Sequence, residues 1–333
     1  MAPPAGSDVT ISVPGSNPTI MFTSAAGTVQ INSLTTSEKL TVTGGTLQLA
    51  MTLQASADLT LAGGTIKGGT ITASGGAALT VTGSGSTLDG VTLNTNVTVG
   101  NSVTLTVKNG LVLNATLKLH QDAISYVTPA TVTFVGTQNL SGSGQVLFEG
   151  MASWASALLY AQGGGTQAAA AVLTIGPGIT IRGGYGTLKG FYSYDSILNQ
   201  GTINADTSGR TITLAGASFS NHGRLQTLNG ATLNCEPVMI VNGQGLLSSA
   251  PAGNVQFREN LVGNTTAVAL SNSQGITTLN GAGTFANPQL LEAMSKDLSI
   301  VPAGFTNNFL FGTLALGSNT YVKLVDQNDN APG

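Results

Sequence analysis

Charge is the scarcest property of this chain. Asp, Glu, Lys and Arg together make up 8% of its 333 residues, against roughly a quarter in ordinary globular domains. The few bases fall singly and the formal charge is −3, so no basic stripe marks a nucleic-acid or anionic-lipid surface. Cysteine occurs once, at Cys235, which excludes an internal disulfide and leaves the redox compartment open. We expect Cys235 to be a small core residue. No apolar run approaches the 18 or so residues a membrane helix needs. The opening residues, Met1-Ala-Pro-Pro-Ala-Gly-Ser7, lack the basic and apolar segments of a secretory leader, and we read 1–7 as an artificial or processed start. Helical periodicity is also missing. The best helical candidate is Ala152–Tyr160, short and followed by Gly163-Gly-Gly165.

What is present is glycine (45 residues), abundant Thr, Ser and Asn, and a hydrophobic fraction of 41%, enough to bury a core. Polar and apolar residues alternate with period two, the pattern of strands. A phrase recurs as Leu40-Thr-Val-Thr-Gly-Gly-Thr-Leu47, Leu59-Thr-Leu-Ala-Gly-Gly-Thr-Ile66, Leu79-Thr-Val-Thr-Gly-Ser-Gly-Ser-Thr-Leu88 and Val103-Thr-Leu-Thr-Val-Lys-Asn-Gly110. A strand-sized unit returning every 20 to 25 residues or so marks a solenoid. Leu47, Leu49, Leu53, Leu59, Leu61 and Ile66 are expected to stack inward. Thr41, Thr43, Thr46 and Thr60 are expected to point out, with the Gly pairs at corners. Outward Thr columns also raise an ice-binding face, although the Thr-x-Thr array breaks at Ala62.

The expected fold is therefore all-β, a single right-handed parallel β-helix, one domain over 1–333. Regular rungs occupy 8–119 and further rungs 172–325, with an irregular insertion around 120–171 and a tail at 326–333. About fifteen rungs at ~4.8 Å spacing predict a rod of roughly 70 Å.

Two segments, Ile197-Leu-Asn-Gln-Gly-Thr-Ile-Asn-Ala205 and Ala217-Ser-Phe-Ser-Asn-His-Gly-Arg-Leu-Gln-Thr-Leu-Asn-Gly-Ala-Thr-Leu233, resemble the β-strand repeats of large secreted bacterial surface proteins. These are similar to autotransporter passengers and filamentous-haemagglutinin-type adhesins. The resemblance implies a secreted or cell-surface location and a structural or adhesive role without catalysis: a rod or fibre subunit that self-associates end to end or side by side and binds a polysaccharide or cell-surface ligand. It carries no catalytic residue. No nucleic-acid partner and no membrane span are expected.

Two clusters are candidate sites. Arg182, Tyr185, Lys189, Phe191, Tyr192, Tyr194 and Asp195 combine aromatic rings with charge. On a solenoid flank, such a set suits sugar stacking and hydrogen bonding. The alternative function is thus a carbohydrate-binding or polysaccharide-degrading β-helix using the 182–195 flank. Hydrolysis there would need two carboxylates within roughly 5 to 10 Å, and Asp195 and Asp206 are the nearest pair in sequence. A packed aromatic corner is the plainer alternative. The tail Val325-Asp-Gln-Asn-Asp-Asn-Ala-Pro332 resembles the calcium-binding linker of cadherin repeats. That resemblance implies Ca²⁺ at Asp326, Asn328, Asp329 and Asn330, whose hard oxygens suit the ion; otherwise it is an Asn/Asp turn before a proline. No other cofactor is expected. His120-Gln-Asp122 is either a metal-ligand pair or a hydrogen-bonded turn.

Overall fold

The computed structural model describes residues 3–122, 128–216 and 218–236, together with the backbone of strands from Val238–Val241 to Tyr321–Leu324. Among these residues are 38 strands, β1 (Asp8–Ile11) to β38 (Tyr321–Leu324) in chain order, and two 3-10 turns at Ser24–Ala26 and Gln167–Ala169. The strands pair in parallel from one turn of the coil to the next. The chain is the parallel β-helix that its repeats imply.

A rung has three sides. The first face starts with β1, the second with β2 (Thr19–Phe22) and the third with β3 (Thr28–Ile31). The second face is a 14-stranded sheet of its own. The other two faces merge into a 24-stranded sheet because β12 (Ser86–Leu93) and β14 (Thr104–Leu113) run round their shared corner unbroken. That bend falls at Gly90 and Gly110, whose φ of 63° and 87° is a left-handed conformation that a Cβ would strain.

Alternation places every second side chain inside, where the columns are apolar and in register. On the second face Leu40 pairs with Leu59, Leu59 with Leu79, Leu79 with Val97, Val97 with Leu117 and Leu117 with Val146. All are buried. Burying one such side chain stabilises by about 1.5–3 kcal/mol, and stacked rungs add these contributions along the coil. The fourth sequence phrase does not continue this column, as the repeat spacing had implied. Val97–Val99 does, while Thr104–Leu113 lies on the other two faces. Leu-Thr-Val is the pattern of any half-exposed strand, so it recurs on all three sides of a rung.

The irregularity expected over 120–171 is confined to corners. β15 (Thr116–Gln121), β16 (Thr131–Val135), β17 (Gln138–Ser141), β18 (Gln145–Gly150), β19 (Ala157–Gln162) and β20 (Val172–Ile175) keep the ladders intact, with Val146 stacked between Leu117 and Ile181. The extra length sits in 151–156, in 163–171 and in 122–130, of which 123–127 lie outside the described residues. The helical candidate Ala152–Tyr160 is likewise corrected. From Ala157 onward it is strand, because Ala157, Leu159 and Ala161 are buried in alternation with Leu158 and Tyr160. Period two outweighs the helix propensity of its alanines and leucines.

Two packing details fix these rungs. Phe148 fills the interior beneath glycines: it pairs with Gly183, and a Cβ on Gly186 would stand 2.1 Å from the Phe148 ring. At the corner between the first and second faces, buried Asn199 donates from Nδ2 to Asn221 Oδ1 at 2.7 Å, and each amide also hydrogen-bonds within its own Asn-x-Gly turn. The Asn-x-Gly repeat quoted above is thus a stack of internally satisfied corners, which buried polar groups require.

Candidate functional site

Residues 182–195 run from the second face of a rung through its third face to the corner beyond, and the coil distributes them accordingly. Arg182, on β21 (Thr180–Gly184) of the second face, points outward between Leu147 and Asn204. Its Nε donates to Asp206 Oδ2 at 2.7 Å, and Asp206 Oδ1 accepts from the Gly183 N–H. Tyr185 occupies the next corner with φ 51°; the Arg210 guanidinium lies 5.5 Å from its ring centroid and donates to the Gly150 carbonyl. Lys189, on β22 (Gly186–Gly190), faces outward on the third face. Phe191, Tyr192 and Tyr194 form the corner that follows. Arg182 and Tyr185 therefore belong to a different edge of the coil from Tyr192 and Tyr194.

What gathers around Lys189 is a smaller cluster with one added member. Tyr160 on β19 is the ladder partner of Lys189, and the ammonium stands 5.4 Å from the centre of its ring. Tyr160 and Phe191 meet edge to face at 5.2 Å, and Phe191 and Tyr192 at 4.8 Å. Such contacts are worth about 0.5–1.5 kcal/mol beyond area burial. The rings nonetheless remain open to solvent: Phe191 is 47% exposed, Tyr192 38% and Tyr194 49%. Among the described residues the hydroxyls of Tyr160, Tyr192 and Tyr194 have no protein hydrogen-bond partner, and no carboxylate stands within ion-pair distance of Lys189.

Asp195 is placed otherwise than expected. It is 1% exposed, and its carboxylate accepts the backbone N–H of Ala171 at 2.8 Å and those of Gly163 and Tyr192 at 3.0 Å. A carboxylate saturated by three amides inside the corner does not meet a surface ligand; it ties the 163–171 loop to the aromatic turn. Asp195 and Asp206 also lie at different corners of the coil, each already engaged, so they do not form the acid pair that hydrolysis requires.

The chain matches no family model, no curated protein sequence and no solved structure. The site is therefore read from its own chemistry.

A second polar cluster lies on the second face. His120 places Nδ1 3.1 Å from Glu149 Oε2 and Nε2 3.0 Å from Asp122 Oδ1, while Lys118 reaches Glu149 at 3.2 Å and Asn101 donates to Asp122 at 2.7 Å. Of the two sequence alternatives for His120 and Asp122, the hydrogen-bonded turn is the arrangement seen. Among the described residues no group of three His, Cys, Asp or Glu side chains could hold a metal ion. The calcium candidates Asp326, Asn328, Asp329 and Asn330 lie outside the described residues. Among those residues no helix is long and apolar enough to cross a membrane.

Tyr160 is the member that sequence reasoning left out of the cluster. It is distant from Lys189 in sequence, and only the rung register brings the two together. The signal was there in the alternation of Ala157–Gln162, which reads as a strand once the helical reading is set aside.

Proposed function

We propose that this chain is the rod of a secreted or cell-surface protein, a structural and adhesive β-solenoid similar to the autotransporter-passenger and filamentous-haemagglutinin type. The observation that carries this reading is the unbroken in-register ladder of the second face: fourteen strands at about 4.8 Å give a coil some 65 Å long. A surface of hydroxyls and amides with little charge favours close packing between such rods. At the first rung, half-buried Val9, Ile11, Ile20 and Phe22 line an apolar cleft of about 430 Å³. Negative-stain images of the purified chain, read with light scattering across a concentration series, test this. Rods that lengthen with concentration support it. A compact particle or a strictly monomeric mass at all concentrations argues for a different role.

A second reading is favoured by the exposed Phe191 and Tyr192 rings beside the half-buried Tyr160: carbohydrate binding on the third face. A polysaccharide-degrading activity has no comparable support, since Asp195 and Asp206 are apart and engaged. A Ca²⁺-binding tail remains a proposal for calorimetry, in which Asp326→Ala should abolish any heat of binding.

A further inference from the structure

We infer that the Tyr160–Lys189–Tyr192 platform takes an acidic saccharide, a uronate-type sugar; this rests on the carbohydrate-binding reading above. Three features of the cluster point to it.

Exposed rings held rigidly are the first. Phe191 to Tyr194 is a run of four exposed residues, which leaves apolar ring surface in water at a cost. The Asp195 carboxylate fixes the Tyr192 backbone, the Gly163 loop and Ala171 together, and Gly165 lies against the Tyr192 ring. A ligand that stacks there meets rings already oriented, so little ordering entropy is lost on binding. The second feature is the mix of ring faces and unpartnered hydroxyls. A pyranose offers apolar C–H faces and equatorial hydroxyls, the complement of Tyr rings whose O–H groups are free to bond.

Charge is the third. Lys189 is the cation of the platform, drawn toward the Tyr160 ring and facing no carboxylate among the described residues. The acid nearest in sequence, Asp195, is buried and consumed by backbone amides. In a chain of net charge −3, Lys189 is the charge that this patch turns outward, because the Asp195 carboxylate is buried beneath it. Its lysine leaves donors for an anionic group on the stacked sugar.

Alginate and its propylene-glycol ester, which keeps the sugar shape and blocks the carboxylates, separate shape from charge. Binding to each is measured by affinity electrophoresis for the wild type, Lys189→Met, Tyr192→Ala and Trp154→Ala, with circular dichroism confirming the fold. Trp154 is exposed on the corner between the second and third faces and serves as the off-platform control. The wild type should prefer alginate over the ester by about tenfold, Lys189→Met should abolish that preference, and Tyr192→Ala should weaken both about tenfold. Trp154→Ala should change neither. Equal wild-type binding to alginate and ester, or an unchanged preference in Lys189→Met, overturns the acidic-sugar inference while saccharide binding stands. No wild-type binding to either polymer, or binding unaffected by Tyr192→Ala, removes both. Polyglutamate bound as tightly as alginate also overturns the inference, because charge alone then suffices.

Discussion

In the rungs up to Thr106, the third face shows solvent a column of threonines, with Thr28, Thr46, Thr65, Thr87 and Thr106 one above another. One rung on, Thr133 is covered, and the same column then continues as Tyr160 and Lys189. One row inward nothing comparable happens: Val29, Leu47, Ile66, Leu88, Val107 and Phe134 follow each other as buried apolar residues. Parallel pairing asks only that inward positions be apolar and of compatible volume. The outward positions and the corners are free to vary, and the later rungs use that freedom for longer turns, aromatic rings and charge. The plain rungs show what the coil needs, and the decorated ones show what has been added to it.

If that division is right, the largest effects of substitution should come where decoration reaches inward. Asp195→Ala should cost about 3 kcal/mol, since one buried and two part-buried N–H donors lose a charged acceptor. The loss should be local: hydrogen exchange should quicken in 163–171 and 191–195 and stay unchanged over 28–119. Its counterpart in a plain rung, Asp58, accepts one amide at 3.4 Å in an exposed setting, and Asp58→Ala should shift stability by less than about 0.5 kcal/mol. Equal effects at the two sites would erase the distinction drawn between them.

A smaller contrast separates two glycines. A methyl group at Gly186 would collide with the buried Phe148 ring, whereas one at Gly100 meets nothing within 4 Å. Gly186→Ala should destabilise by about 1–3 kcal/mol through overpacking. Gly100→Ala should be neutral or stabilise by a few tenths up to ~1 kcal/mol, through reduced freedom of the unfolded chain. Denaturant midpoints for the two variants, at unchanged slope, decide the matter.

These contrasts also explain which parts of the molecule could be read from residue order. Leu40, Leu59 and Leu79 announce the coil because burial forces the same residue type into the same place on successive turns. Most corners carry a weaker constraint than the ladders, the stacked Asn199 and Asn221 apart, so the longer turns after Gln121 resembled an insertion, although β16 to β19 continue every ladder. The cluster at 182–195 was visible as composition, but its division between two faces and two corners of a rung was not, because that depends on where each corner falls. Asp195 looked like a surface acid since no local pattern distinguishes a carboxylate that ties loops together from one that meets a ligand. Tyr160 needed the register itself.

The mildest expected effect concerns acid and the first rung. Asp8, on β1, is the ladder partner of Ser33. It accepts hydrogen bonds from the Ser33 hydroxyl and, at 2.6 Å, from Asn32 Nδ2. The Ser33 bond first, and the Asn32 bond second, hold its carboxyl below the ordinary aspartate value. A carboxyl lowered in the folded state adds stability that is fully present above its unfolded pKa of about 3.9 and is lost as pH falls through the folded value. The first rung should therefore loosen only in acid below about pH 4, while the plain rungs above it, packed on both sides, should not follow. Asp8→Asn should remove that dependence and leave the neutral-pH melting temperature nearly unchanged. A carboxyl-carbon NMR titration placing Asp8 at the ordinary aspartate value, or acid loosening that persists in Asp8→Asn, would show that the bonds from Ser33 and Asn32 do not hold the edge of the coil.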